Sequence, residues 1–155
     1  MKTTDYLALA IATCGVGYLP LMPGTFGSLV GVAIFLALIR ISAAAIVVAI
    51  LFFTFAGIWA GTRTEKLSQR KDPGKIVVDE VAGQLIALLP LLFVAWSIKT
   101  VIVSFILFRF FDIVKPYPAN RLQDLEGGVG VMCDDLVAGA YAAIIVSGVL
   151  IVYGT

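Results

Sequence analysis

Two pairs of adjacent carboxylates are the residues of this chain best suited to chemistry. Asp79-Glu80 and Asp134-Asp135 each lie directly before a long apolar run. Paired carboxylates in apolar surroundings repel each other and lose hydration unless a cation lies between them. Carboxylate oxygens favour hard cations such as Mg²⁺ or Mn²⁺, so all four residues are candidate metal ligands. Helix capping is the alternative, because acidic side chains also stabilise the first turn of a helix.

A second group of charges ends the apolar run that contains Phe108. Asp112 lies three residues after Arg109 and three before Lys115, so a helix would place it on one face with either cation. One interpretation is an ion pair that allows the charges to lie near a membrane. The other is that Arg109 and Lys115 hold phosphate oxygens, for which a guanidinium fork and an ammonium group are both suited.

A turn rich in proline and glycine precedes the second apolar run and contains Gly24, Thr25 and Ser28. Thr25 is predicted to be the N-cap of a helix whose free N–H groups could bind phosphate, while the glycines permit close approach. A turn with a simple cap is the alternative. Because no Gly-Lys-Thr or Gly-Lys-Ser follows, the segment is not a Walker A loop.

Composition places these groups in a membrane protein. Apolar residues make up 61 % of the 155 residues, more than a soluble domain of this size can bury. We expect one domain over residues 1–155 with an all-α fold. It is predicted to be a compact multi-pass bundle with about four or five spans plus short re-entrant or interfacial helices. The apolar runs, each predicted to be a helix, are 6–16, 26–39, 41–60, 81–98, 100–111 and 136–153.

The distribution of basic residues predicts the orientation. Most of the eleven Lys and Arg residues lie in the segments 63–80 and 109–135, and positively charged loops stay cytoplasmic. If the runs 26–39 and 41–60 form one hairpin, and the runs 81–98 and 100–111 form another, the segment 19–27 faces the cytoplasm too. Carboxylates, cations and a glycine-rich helix start would then meet at one face, and these groups suit metal-assisted phosphoryl transfer. No basic face with interleaved aromatics is visible, so a nucleic-acid partner is not expected.

Several related chemistries are excluded by residue type. The chain has no histidine, which excludes a phosphohistidine mechanism. Gly139 stands where a cysteine phosphatase would need arginine after Cys133, and the Asp-x-Asp-x-Thr pattern of aspartyl-phosphate enzymes is missing. Attack by a water that a divalent cation activates remains. Two other classes stay open: a small divalent-cation transporter or channel, and a structural subunit whose charges only cap helices and pair.

Four stretches in this order resemble the phosphatidylglycerophosphatase A family over nearly the whole chain: 23–28, 78–83, 108–120 and 127–139. The resemblance implies a multi-pass phosphatase of the bacterial inner (cytoplasmic) membrane, with its active site on the cytoplasmic face. Its phospholipid substrate would be phosphatidylglycerophosphate, its product phosphatidylglycerol, and its cofactor Mg²⁺. The lipid preference comes from the resemblance alone.

The resemblance also implies roles for individual residues. Asp79, Glu80, Asp134 and Asp135 would be metal-site or catalytic carboxylates, with Asp112 and Lys115 beside them. Which carboxylate is ligand and which is general base stays open. Together with the anion-binding candidates Gly24, Thr25, Ser28 and Arg109, these residues make up the predicted site.

Overall fold

The structure, a computed structural model, describes residues 2–94 and 97–153, and its regular elements within these ranges are all helices. This confirms the all-α prediction. The α-helices are α1 (Thr3–Thr13), α2 (Pro23–Leu38), α3 (Ala43–Ser68), α4 (Val78–Ala87), α5 (Ile98–Val114), α6 (Ala119–Leu122) and α7 (Gly128–Tyr153), and a 3₁₀ helix (Leu89–Leu92) follows α4.

Helix α4 is the centre of the bundle. It packs against α2, α3, α5 and α7, and eight of its ten residues are buried. The prediction of one continuous helix over 81–98 is wrong, because α4 ends at Ala87 and the chain continues as the 3₁₀ helix. Pro90 explains the break, since its ring lacks an N–H for the helical ladder and clashes with the preceding turn. Residues 95 and 96 of that run lie outside the described residues.

Helices α3 and α7 are long and apolar enough to cross a membrane. Only 17 % of the most apolar window of α3 and 33 % of that of α7 are buried. Large apolar side chains are therefore exposed along both helices, among them Phe55 at 68 % and Ile151 at 82 %. The core helix of a soluble protein would hide such residues, so this exposure favours contact with lipid. Within the described residues no further helix passes the same test of length and composition.

Three helix starts or ends differ from the sequence predictions. Helix α2 begins at Pro23 with Met22 as its N-cap, because proline at the first helical position presets the backbone angle. Helix α3 continues eight residues past Ala60 and so carries Arg63 and Lys66, which were expected in a loop. Helix α7 begins at Gly128 instead of Leu136.

The early start of α7 has a local cause. Gly127 adopts a positive φ of 64°, which turns the chain into the helix, and the Gly128 N–H donates a hydrogen bond of 2.8 Å to the hydroxyl oxygen of Thr62 on α3. This bond satisfies one of the N–H groups that a helix start leaves free. Helix α3 therefore fixes where α7 begins.

The backbones of α4 and α7 touch through two glycines. A Cβ atom added to Gly139 would lie 2.3 Å from the carbonyl oxygen of Gly83, and one added to Gly83 would lie 2.6 Å from that of Asp135. Real side chains do not approach a carbonyl oxygen so closely. The contact therefore depends on glycine and sets the distance between α4 and the acidic pair of α7.

We predict that Gly139→Ala destabilises the protein, because the methyl group pushes α7 away from α4. The expected loss is about 1–3 kcal/mol, typical of an overpacked core. Gly148 is the matched control: it lies on the same helix, and a Cβ there meets nothing within 4 Å. Gly148→Ala should leave stability unchanged or raise it by up to about 1 kcal/mol. Thermal unfolding in detergent measures both, and equal melting temperatures for the two variants would contradict the prediction.

Candidate active site

The two acidic pairs meet at one end of the bundle. Asp79 and Glu80 lie in the first turn of α4, and Asp135 lies about two turns into α7. One carboxylate oxygen from each of the three lies within 4.8 Å of the others. Asp79 is 7 % exposed and Asp135 is 2 % exposed, so the cluster is removed from bulk water. Residues from distant parts of the sequence therefore form one buried acidic cluster.

Capping hydrogen bonds from side chains do not account for these carboxylates. The N-cap of α4 is Val77, without a side-chain cap hydrogen bond, and Asp134 and Asp135 lie too far along α7 to cap it. Within the described residues, three buried oxygens of the cluster have no hydrogen-bond partner: Asp79 Oδ1, Glu80 Oε2 and Asp135 Oδ2. Buried carboxylate oxygens without partners are costly. The arrangement requires a bound cation or proton.

The cluster fits a hard divalent cation. Three carboxylates converge with unpaired oxygens, and oxygen donors of this kind suit Mg²⁺. The site could therefore hold a metal ion through Asp79, Glu80 and Asp135. A single carboxylate would bind such an ion weakly, whereas three together also supply enough negative charge to replace lost hydration.

Arg109 lies beside the cluster and joins three elements. Its Nη1 atom lies 2.5 Å from Asp112 Oδ2 and 3.9 Å from Glu80 Oε1, and it donates a hydrogen bond of 3.5 Å to Ser28 Oγ. The predicted ion pair between Arg109 and Asp112 is thus present. Because the same guanidinium also reaches Glu80 on α4 and Ser28 on α2, Arg109 can pair with Asp112 and still take part in the site.

Lys115 contacts the other aspartate of α7. It caps the end of α5 with a positive φ of 46°, and its ammonium group donates a hydrogen bond to Asp134 Oδ2. Burial lowers the pKa of Lys115, but the hydrogen bond and attraction from Asp134 outweigh this and raise it well above its usual value. Lys115 therefore stays protonated. Asp134 turns toward Lys115 and is not one of the three clustered carboxylates, so its role as a metal ligand stays a prediction.

The start of α2 closes one side of the site. A Cβ atom on Gly24 would lie 2.1 Å from Glu80 Oε1 and 3.1 Å from Arg109 Nη1, so a larger residue there would displace the Glu80 carboxylate. The Ser28 hydroxyl donates a hydrogen bond of 2.9 Å to the Gly24 carbonyl oxygen. The prediction that Thr25 is the N-cap is wrong, since the helix starts earlier and the Thr25 N–H donates to the Met22 carbonyl oxygen at 2.9 Å.

One residue near the site was missed by the sequence analysis. Asp72 lies in the loop between α3 and α4, and its carboxylate is close enough to Asp134, Asp112 and Lys115 to interact with their charges. Its backbone N–H donates a hydrogen bond of 2.7 Å to Glu65 Oε1, and its φ is 40°. The signal in the sequence was a lone aspartate before Pro-Gly, which alone indicates only a turn.

Comparison with known proteins adds independent information. The family model described as phosphatidylglycerophosphatase A matches residues 9–150. A Bacteroides thetaiotaomicron protein, provisionally named a phosphatidylinositol-3-phosphatase, is 41 % identical over 95 % of this chain and 96 % of its own. Two proteins named phosphatidylglycerophosphatase A are also similar. The one from Haemophilus influenzae is 37 % identical over 85 % of this chain and 81 % of its own length. The one from Escherichia coli is 31 % identical over 92 % of this chain and 83 % of its own length. No solved structure matches.

We predict that Lys115→Met destabilises the protein, because it leaves the buried Asp134 carboxylate without its cation. The expected loss is about 2 kcal/mol, less than for a fully buried pair because the Lys115 side chain is 26 % exposed. Adding Asp134→Asn should recover most of it, since the neutral amide needs no counter-charge. Thermal unfolding at low metal concentration measures the cycle, with the exposed Lys99→Met as control. Unchanged stability of Lys115→Met would contradict the prediction.

Proposed function

Because the chain belongs to the phosphatidylglycerophosphatase A family, it is a phosphoric monoester hydrolase, and we propose that it hydrolyses phosphatidylglycerophosphate to phosphatidylglycerol and phosphate with the help of Mg²⁺. The observation that carries the proposal is the convergence of Asp79, Glu80 and Asp135 with unpaired buried oxygens beside two cationic side chains. A cation conduit would need acidic groups at several depths, free of neighbouring cations.

The roles of the chain's own residues follow from their contacts. Asp79, Glu80 and Asp135 would hold the metal ion, with Asp134 as a further candidate, and Mg²⁺ when bound would neutralise phosphate charge and make a water more acidic. Within the described residues the contacts of Arg109 all use Nη1, so its other donors remain for phosphate oxygens. Lys115 and the turn at Gly24, Thr25 and Ser28 would hold the rest.

Hydrolysis then needs only a water placed in line with the ester bond. Its oxygen bonds to phosphorus while the bond from phosphorus to the glycerol oxygen breaks, and a water proton ends on that glycerol oxygen. One of the carboxylates Asp79, Glu80, Asp112, Asp134 and Asp135 would take the proton first. Because these groups are held by helices packed through close contacts, their geometry is fixed before the substrate arrives.

The names of the relatives indicate two candidate substrates. The Haemophilus and Escherichia proteins carry the name of the glycerophosphate lipid phosphatase, whereas the Bacteroides protein is named for phosphatidylinositol 3-phosphate. Both lipids present a phosphate monoester on a polyol headgroup. Phosphatidylglycerophosphate is preferred here because the matching family model carries its name, and the inositol lipid is the second candidate.

We further propose that the protein crosses the bacterial inner membrane four or five times, with the site on the cytoplasmic face. Helices α2, α3, α5 and α7 would cross, and α4 with the following 3₁₀ helix would complete a fifth crossing inside the bundle. Three of these crossings, namely α2, α5 and α4 with its 3₁₀ helix, are shorter than the usual 20 residues, which surrounding helices and local bilayer thinning accommodate. The basic residues around the site end of the bundle support its cytoplasmic orientation.

We predict metal-dependent phosphate release from phosphatidylglycerophosphate by the purified protein in detergent. Excess EDTA should abolish it, Mg²⁺ should restore it, and Asp135→Asn should lower the rate at least about 100-fold while the protein stays folded. Asp124→Asn, an exposed carboxylate outside the site, is the control. Phosphatidic acid and phosphatidylinositol 3-phosphate test specificity. Faster release from the inositol lipid would reassign the substrate, and full activity of Asp135→Asn would refute the proposed site.

The membrane topology predicts which loops an impermeant thiol reagent can reach. In a chain whose two cysteines are replaced by alanine, Ile41→Cys and Ser97→Cys should react in intact spheroplasts, because both loops face outward. Gly74→Cys, where a side chain meets nothing within 4 Å, should react only after the membrane is opened. Labelling of Ser97→Cys only in opened membranes would show that α4 and α5 return without crossing.

A further inference from the structure

An apolar groove lies on the outside of the bundle, where the end of α5 meets α7. It has a volume of about 310 Å³ and is open along one side. In the described part of the chain its lining is apolar or aromatic, formed by Phe111, Pro116, Tyr117, Tyr141, Ile144 and Ile145. None of these side chains has a role in the proposed hydrolysis. The groove is therefore a feature that the acidic cluster does not explain.

The groove lies next to the site, toward the C-terminal end of α7. Tyr141 follows Asp134 by seven residues, which places both on one face of the helix, about 10 Å apart along its axis. On α5, Phe111 lies one turn before Lys115, whose ammonium group contacts Asp134. The pair of Lys115 and Asp134 therefore stands at one end of the groove, and the other end points along α7 away from the acidic cluster.

Contacts between the two walls fix the shape of the groove. The Tyr141 hydroxyl donates a hydrogen bond of 2.7 Å to the Tyr117 carbonyl oxygen. The rings of Phe111 and Tyr141 pack with their centroids 5.5 Å apart. Both contacts join the end of α5 and the turn after it to α7. The groove is thus preformed, as binding clefts for small molecules usually are.

The surroundings of the groove indicate which molecule it fits. Ile144 is 67 % exposed on a helix long and apolar enough to cross a membrane, where such surface meets lipid. Tyr117, near Lys115, is typical of a membrane interface, where tyrosine places its ring against apolar chains and its hydroxyl in water. A ligand that is apolar along the groove and anionic beside Lys115 and the metal-binding cluster has the chemistry of a phospholipid.

We propose that the groove binds one acyl chain of the phospholipid substrate and so places the phosphate monoester of that lipid at the acidic cluster. The inference rests on the proposed function for the identity of the ligand. The headgroup, which separates the monoester from the acyl chains, would span the two helical turns between Asp134 and Tyr141. Both candidate lipids are diacyl phospholipids, so the groove fits either of them.

The groove acts by orientation and not by hydrophobic transfer. An acyl chain is already in apolar surroundings in a bilayer, so its movement into the groove gains mainly van der Waals contacts. A lipid held by its chain presents the ester bond to the site in one geometry, which lowers the entropic cost of reaction. Binding away from the reacting atoms is thereby used to promote the reaction.

Photolabelling tests whether an acyl chain occupies the groove. The probe is phosphatidylglycerophosphate with a diazirine in one acyl chain, and its product carries the same chain, so labelling does not depend on hydrolysis. In purified protein in detergent we expect saturable labelling at Tyr141, Ile144 or Ile145 that excess unlabelled lipid removes. Labelling spread over the exposed residues of α3 and α7, without competition by unlabelled lipid, would overturn the proposal.

Variants test whether the groove positions the substrate. Ile145→Trp should fill the groove and lower kcat/KM at least about 10-fold for the dioleoyl lipid, because the ester bond is then misplaced. The dibutanoyl lipid, whose chains are too short to fill the groove, should be affected much less. Ile151→Trp, 82 % exposed on the same helix and outside the groove lining, is the matched control and should keep the wild-type ratio of the two kcat/KM values.

A second variant removes one wall of the groove without endangering the fold. Tyr117 is 76 % exposed, and the hydrogen bond from Tyr141 goes to its backbone, so Tyr117→Ala keeps that bond. This variant should also lower the preference for the dioleoyl over the dibutanoyl lipid. An unchanged ratio of the two kcat/KM values in both Ile145→Trp and Tyr117→Ala would overturn the proposal.

The groove and the proposed function fail independently. Saturable labelling of the groove without phosphate release from any lipid would retain a lipid-binding groove and reject the proposed function. Phosphate release together with uncompeted labelling would retain the function and reject the groove. In a chain whose two cysteines are replaced by alanine, a disulfide between two copies of the Ile144→Cys variant would assign the groove to a second protein copy and overturn the lipid assignment.

Discussion

Uncompensated negative charge at the edge of an apolar bundle is the constraint on which the rest of the structure depends. Five carboxylates are held together where water is scarce, and Arg109 and Lys115 offset only part of their charge. Such an arrangement persists only if the surrounding packing prevents the carboxylates from separating. The glycine contact between α4 and α7 and the Gly24 turn against Glu80 provide that packing. A cation bound there would relieve a repulsion that folding alone imposes.

The sequence predicted the all-helical fold and the convergence of the acidic pairs, because apolar runs and charged edges reflect the solvent around each segment. It failed where single residues decide local geometry. Pro90 divides one apolar run into α4 and a 3₁₀ helix, and Pro23 starts α2 before Thr25. Gly128 starts α7 early because Thr62, sixty-six positions away in the chain, accepts its N–H. Hydrophobic periodicity does not reveal such contacts.

The residues of the site could be predicted from the sequence, but the contacts between their side chains could not. Adjacent aspartates in a sequence look equivalent, yet Asp135 joins Asp79 and Glu80 whereas Asp134 turns to Lys115. That division follows from helix geometry together with the packing of α5 against α7, which only the folded chain defines. Asp72 was missed for the same reason, since its loop has no distinctive sequence pattern and only the folded chain shows where it lies. Local spacing picked out the candidate ligands, and tertiary packing decided which of them lie together.

Enclosure of α4 has a mechanical consequence. The helix that carries Asp79 and Glu80 is surrounded by four others, and most of its surface meets protein. The large apolar side chains of α3 and of the outer side of α7 are exposed instead, so in a membrane lipids would press on these two helices. In a bilayer, tilting of these outer helices would absorb a change in thickness. The contact between Gly83 and Gly139 would keep Asp135 beside α4 meanwhile, so the geometry of the carboxylate cluster would be insulated from the elastic state of the membrane.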